Sequence, residues 1–348
     1  MKREWKKKRK FRQGFARLLQ KMLRKPLLHA PYTGPVNSVI ILAQEKYGDA
    51  ILLTPLLKLL KQKFTDTEIH VVTFSRAVHG FFRSDRNIDR LHLAKGNAWR
   101  YYRNILGKRF DLLFNTKDHP STSFLFQSIL LRARCKVGID CEYHRGIYDY
   151  LVDLDYHTPV ALKNCGLLDI LGKPVQPEEC RPYLPEMPVS ETVQAFLGSV
   201  QERTGIGVNI SAGGPTRYWT ENNWKKLVDS FPCETFVVFS APGDREQKNR
   251  LERQSRNIRP SPETANLYEA GLIAGNLKLL VTPDTAMVHV ASCSNTPVIA
   301  LYGTAPQDQS RFRPFLVEYR IIASKTNFVQ NISVKTVADT MRNMLNQE

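Results

Sequence analysis

The chain has 348 residues, 42% of them hydrophobic, and a formal net charge of +17, a length comfortable for two domains with a sizeable core each. Twelve Lys and Arg stand against the single Glu4 within residues 1–25, so most of the excess charge sits in an amino-terminal tail, and the remaining body is not built as a nucleic-acid-binding surface. No apolar run approaches the roughly 18 residues of a membrane span, no apolar segment follows the charges as in a signal peptide, and six cysteines without C-x-x-C spacing read as reduced thiols in a cytoplasmic protein.

In the tail, Trp5, Phe11, Phe15, Leu18, Leu19, Met22 and Leu23 recur at spacings of three to four, which predicts an amphipathic helix with a strongly basic polar face. Such helices lie on anionic membrane surfaces. A solvated, disordered charge run and a nucleic-acid contact are the other readings of the same residues. Tyr32–Pro35 is a Pro/Gly linker that closes a segment of residues 1–35.

The first domain, residues 36–173, opens with the apolar run Val39–Ala43, suited to a strand buried on both faces. The loop Gln44–Asp49 leads to a predicted helix over Ala50–Phe64, and strands follow at Ile69–Phe74, Asp111–Asn115 and Lys136–Ile139. This alternation predicts a parallel sheet. Residues 174–188 hold five prolines (Pro174, Pro177, Pro182, Pro185, Pro188), the composition of an inter-domain linker.

Over residues 189–348 the rhythm restarts. Val208–Ser211 is a strand, Asn222–Asp229 part of a helix, Thr235–Ser240 a strand, and a helix begins at Arg245. Leu277–Val281 is then a short strand that Pro283 blocks from continuing, and Asp284 and Thr285 are N-cap types for the next helix. Pro297–Tyr302 is the following buried strand, and Ser333–Leu345 a closing amphipathic helix. The fold class is α/β, with two doubly wound domains facing a cleft.

Three loops, each at the carboxyl end of a predicted strand, gather the candidate chemistry, since ligands of such sheets bind along that rim. In Tyr47-Gly48-Asp49-Ala50, Asp49 is either a helix cap or a general base for an acceptor hydroxyl. In Ser211–Trp219, Gly213 and Gly214 permit close backbone approach, Ser211 and Thr216 offer hydroxyls, and Arg217 can hold a phosphate oxygen. At Asp284-Thr285-Ala286 a helix N-terminus favours a diphosphate. There Asp284 caps the helix or accepts from a hydroxyl, and His289, one turn in, either donates to the ligand or packs under the loop. No G-x-x-x-x-G-K-[ST] loop, no G-x-G-x-x-G after a strand and no D-x-D pair occurs, so nucleotide hydrolysis, nicotinamide chemistry and a carboxylate-held divalent metal lose support.

Taken together, the three loops resemble glycosyltransferase family 9, the ADP-heptose:lipopolysaccharide heptosyltransferases and their relatives. The family's L-G-D-x-(x)₃-T-P pattern is similar to Ile40–Pro55, with Gly48, Asp49, Thr54 and Pro55 matching. Its P-G-A-x-x-x-x-K-x-W loop is similar to Ile210–Trp219, and its D-T-G-x-x-H-x-A-(x)₅-P-x-x-x-L-[FY]-G-x-T signature to Asp284–Thr304. The resemblance spans about residues 38 to 345.

It implies the two-domain GT-B fold and inverting, metal-independent transfer of a sugar from a nucleotide-sugar donor, ADP-heptose, to a lipid-linked saccharide at the cytoplasmic face of the membrane. Asp49 is then the base, Arg217 neutralises the leaving diphosphate, and Asp284, Thr285, Ala286 and His289 form the phosphate site, with Ser211, Gly213 and Thr216 beside it. Glu246 falls where the family holds the nucleoside. No cofactor and no nucleic-acid partner are expected, and the anionic membrane is expected to be met through residues 1–25. Three positions depart from the pattern: Ala286 replaces a glycine, Arg217 a lysine, and Thr304-Ala305-Pro306 lacks an acidic residue before the proline. A hexose carried on UDP or ADP is the alternative donor, and a non-catalytic membrane- or nucleic-acid-binding protein the alternative class.

Overall fold

The computed structural model describes residues 2–95, 98–200 and 203–346. Its contacts divide the chain into two compact units, between Cys180 and Arg181, inside the proline-rich stretch. Among the described residues each unit holds one sheet, of six strands in the first and five in the second, and every pairing is parallel.

In the first unit the strands are β1 (Ser38–Leu42), β2 (Glu68–Thr73), β3 (Arg90–Leu93), β4 (Arg109–Asn115), β5 (Arg132–Ile139) and β6 (Tyr150–Val152). Their order is β3-β2-β1-β4-β5-β6, so the direction of winding reverses between β1 and β4. Val39, Ile40, Ile41 and Leu42 are all fully buried, as a central strand covered on both faces requires. The strands β3 and β6 are short and mixed in pattern, and periodicity did not single them out.

The predicted helix over Ala50–Phe64 is instead two helices, Tyr47–Ile51 and Thr54–Lys63. Pro55 is the cause. It has no N–H to return to Ile51, and the carbonyl of Ile51 accepts from the Thr54 hydroxyl instead, at 2.8 Å. Asp49 therefore lies within a short helix rather than in a loop before a long one.

The amino-terminal tail forms the helix Lys2–Leu23 and docks on the first unit. Ala16 and Leu19 are buried in the same cluster as Ile40, Leu42, Phe110 and Phe124. Gln20 Nε2 donates to the carbonyls of Glu142 and Arg145 at 2.7 and 2.9 Å, and Lys25 Nζ pairs with Asp149 at 2.7 Å. The side chain of Trp5 lies outside the described residues.

In the second unit the strands are β7 (Gly205–Asn209), β8 (Phe236–Phe239), β9 (Leu277–Pro283), β10 (Val298–Tyr302) and β11 (Tyr319–Ala323), in the order β11-β10-β9-β7-β8. The reversal here lies between β7 and β9. Pro283 does not stop β9 early. It is paired with Leu301 of β10, while β7 pairs only as far as Val281, so the missing N–H costs no ladder bond there. The closing helix Val334–Leu345, capped by Ser333, buries Val337, Ala338, Met341 and Met344 against this core.

Candidate functional site

Each unit gathers polar side chains at the carboxyl ends of the two strands where its winding reverses, the place at which doubly wound sheets hold ligands. In the first unit these are the loop after β1 and the residues after β4. Lys117, almost fully buried, lies 2.8 Å from a carboxylate oxygen of Glu45 and donates to Gln44 Oε1 at 3.1 Å. Gln44 Nε2 in turn donates to the carbonyl of Thr116 at 2.9 Å, and the Thr116 hydroxyl to the carbonyl of Leu42 at 2.7 Å, so the two strand ends are tied together.

Asp49, only partly exposed, stands beside this network. Burial pushes its carboxyl above the ordinary value, the ammonium groups of Lys117 and Lys46 oppose that, and Glu45 and Asp118 reinforce it. For Glu45 burial also resists ionisation, but the pairing with Lys117 wins and holds its pKa low. Two neighbouring carboxylates thus diverge, and Asp49 is the one poised to take up a proton. As a helix residue it does not act as the N-cap, which is Lys46.

In the second unit the loops after β7 and β9 meet. Arg217 Nη1 lies 3.0 Å from Asp284 Oδ2 and donates to the carbonyl of Asp284 at 3.3 Å. Its other terminal nitrogen is 3.8 Å from Asp308 Oδ2. Asp284 is therefore the partner of Arg217 and not the helix cap. That role belongs to Thr285, whose hydroxyl accepts from the N–H of Met287 at 3.2 Å. In helix geometry the N–H of Ala286, the first residue of the helix Ala286–Ser294, has no intrahelical acceptor and is the group this end offers an anion.

Below this rim sits Asn209, the last residue of β7. Its side-chain N–H groups reach Thr282 Oγ1 at 2.9 Å and Thr285 Oγ1 at 3.1 Å, linking β7, β9 and the cap. Ser211 is buried and its hydroxyl accepts from the N–H of Ala241 at 2.7 Å, which pins the loop after β8. Gly213 and Thr216 are exposed, and a Cβ at Gly213 would meet nothing within 4 Å. Trp219 is fully buried, donates to the carbonyl of Ile332 at 2.9 Å and meets Trp224 edge-on, anchoring the loop that carries Arg217.

His289 is buried, and burial alone pushes its pKa down to about 4, so it is neutral. Its Nδ1 finds no hydrogen-bond partner among the described residues. Glu246 is exposed in the first turn of the helix Arg245–Gln254. It is not among the residues lining the small pocket beside it at the end of β8, where Ser240, Ala241, Pro242 and Ser261 face the space. Among the described residues no group of three His, Cys, Asp or Glu side chains is placed to hold a metal ion, and no helix is long and apolar enough to cross a membrane.

Lys117, Asn209 and Asp308 escaped the sequence reading. Lys117 lies two residues past β4, and Asn209 ends β7 but falls inside the strand predicted over Val208–Ser211, so neither stands out before the strands are paired. Asp308 comes two residues after Pro306, on the other side of the proline from the acidic position of the family pattern.

A sequence profile of glycosyltransferase family 9 (heptosyltransferase) matches residues 98–340. Lipopolysaccharide heptosyltransferase 3 of Escherichia coli is 22% identical over 302 residues, covering 77% of this chain and 84% of that protein. A solved glycosyl transferase family 9 protein from Veillonella parvula superposes with a TM-score of 0.70 at 18% identity, over 92% of this chain and 99% of that one. The Escherichia coli heptosyltransferase WaaC, solved with ADP, superposes with a TM-score of 0.67 at 15% identity, over 88% and 99%.

Proposed function

The chain belongs to glycosyltransferase family 9, the heptosyltransferase family, and on that premise we propose that it moves a heptose from ADP-heptose to a hydroxyl of a lipid-linked saccharide, the lipopolysaccharide inner core, at the cytoplasmic face of the membrane. The observation that carries this reading is the pairing of chemistry with topology. One reversal point holds a carboxyl raised by burial beside a buried ammonium, and the other a guanidinium beside the start of a helix.

In this reading the first unit binds the acceptor. Asp49 takes the proton of the attacking hydroxyl, Lys117 keeps the carboxyl ionised enough to do so, and the new C–O bond forms as the bond from the sugar to the diphosphate breaks. A single displacement of this kind inverts the anomeric centre. The electron pair leaves with the diphosphate, whose charge Arg217 and the N–H of Ala286 stabilise, and such fixed donors need no metal. The arriving diphosphate takes over the guanidinium now held by Asp284. The pocket at the end of β8 receives the nucleoside, and the basic helix Lys2–Leu23 meets the anionic membrane surface.

A thermal-shift titration with ADP, UDP, GDP, CDP and their sugars tests the donor, because a ligand held by the native state raises apparent stability with concentration. Stabilisation confined to ADP and ADP-sugars is expected. Stabilisation by UDP-sugars instead would move the enzyme to a hexose donor, and no response to any nucleotide would refute the reading.

A further inference from the structure

The docked amino-terminal helix leaves part of its apolar surface uncovered. Phe11, Phe15, Leu18 and Met22 fall four, three and four residues apart, one stripe on an α-helix. That stripe adjoins the buried edge of Ala16 and Leu19, yet Phe11 is 67% exposed. On the facing helix Thr122–Leu130, Phe126 is 47% exposed. Between them opens a groove of about 390 Å³, lined among the described residues chiefly by Phe11, Phe15, Phe74, Tyr102 and Phe126, with Lys95 at its side. Every one of these residues belongs to the first unit.

A monomeric soluble protein seldom leaves converging aromatic rings in water, and such a patch marks an interaction site. The charge beside it indicates the occupant. Lys7, Lys10 and Lys21 are exposed and fall together on the side of the helix next to the stripe. An aromatic slot edged by ammonium groups matches a molecule with an apolar chain and an anionic head, and a plane of such molecules matches the length of the helix.

We propose that this groove takes up an acyl chain of an anionic bilayer lipid while the basic flank of the helix rests on the headgroups. The proposal rests on the membrane contact assigned above to the basic helix and goes beyond it. The contact is no longer electrostatic alone, and it includes Phe126, which is a full domain's chain length away from the tail in sequence.

The experiment uses the full-length protein with vesicles of phosphatidylcholine and phosphatidylglycerol, carrying a trace of phosphatidylglycerol with a photoactivatable diazirine in its acyl chain. After photolysis, labelled peptides are mapped by mass spectrometry. Label is expected in the segments containing Phe11–Phe15 and Thr122–Gln127. In Phe126→Ser it falls about tenfold, the ratio expected when one aromatic side chain no longer buries its surface, while flotation with the vesicles persists because the basic helix is intact. Phe126→Leu restores the label. Flotation with label absent from both segments, or an unchanged yield in Phe126→Ser, would overturn the groove and leave the electrostatic contact standing. Failure to float at low salt would overturn both.

Discussion

Asn209→Ala removes one side chain that touches no proposed substrate and should still weaken both stability and donor binding. Asn209 is buried and its amide reaches Thr282 Oγ1 and Thr285 Oγ1 at 2.9 and 3.1 Å, while its carbonyl oxygen accepts from the N–H of Ser211 at 3.3 Å. Two well-formed bonds at about 1 kcal/mol each, with weaker ones to the Ser211 carbonyl at 3.2 Å and from the Ser211 N–H, give a loss on the order of 2–3 kcal/mol. In a unit of this size that lowers the melting temperature by roughly 5–10 °C. Calorimetry of the whole chain should show the change in the transition of the second unit only. Because Thr285 caps the helix Ala286–Ser294, the loss also loosens the proposed anion site, and ADP affinity measured by titration calorimetry should fall about tenfold. The link through the cap is tested with Thr285→Ala: the double variant should cost at least about 0.5 kcal/mol less than the sum of the single ones. A melting temperature within about 1 °C of wild type, or strict additivity with Thr285→Ala, would refute the reasoning.

Asp49→Asn should abolish turnover yet leave the fold more stable near neutral pH. The folded pKa of Asp49 lies above its unfolded value, so this carboxyl favours folding less as pH rises through that window. The stability gap between the variant and wild type should therefore open with rising pH and close below the unfolded value of about 3.9, which urea titrations at several pH values will read. Arg217→Ala should retain folding, since the side chain is about one-third exposed, and lose on the order of 10² in kcat, because no cation then meets the charge developing on the leaving diphosphate. Removing residues 1–25 should destabilise the first unit rather than leave it untouched, by about 3 kcal/mol from the lost burial of Leu19 and Ala16 and the bonds of Gln20, as seen in its denaturation midpoint. Flotation with anionic vesicles should weaken steeply between low salt and 0.5 M salt, roughly a Debye length of 4 Å, and a salt-independent signal would contradict the electrostatic contact.

The strands that position chemistry were legible because they are buried on both faces. Ile40 sits in a run with no polar interruption, Val71, Val208 and Val281 sit in strands whose polar residues His70, Asn209 and Thr282 are themselves buried, and the strand ends fell within a few residues of the structure. Edge strands β3 and β6 were not legible, because Arg90–Leu93 is short and only partly covered and Tyr150–Val152 has too few residues to show an alternation. The tail misled for a physical reason. Its charge suggests an appendage, but docking depends on Ala16, a residue too small to register in a hydrophobic pattern, and on Gln20 reaching distant carbonyls. At the site, Asp49, Arg217, Asp284 and Thr285 occupy the rim, yet the sequence could not assign the cap between two adjacent candidates. Spacing equally hid the pairing of Arg217 with Asp284, which joins residues 67 apart. Lys117 and Asn209 act through contacts made only once β4 is beside β1 and β9 beside β7.

Heptosyl transfer from ADP-heptose is read from the product itself. Purified protein incubated with ADP-heptose and a lipid-linked inner-core acceptor should release ADP and add one heptose to the acceptor, with the anomeric configuration inverted by NMR, with no loss when a chelator is present, and with no product from Asp49→Asn. Release of ADP without a glycosylated product, transfer only from a UDP-hexose, or full activity in Asp49→Asn would contradict it.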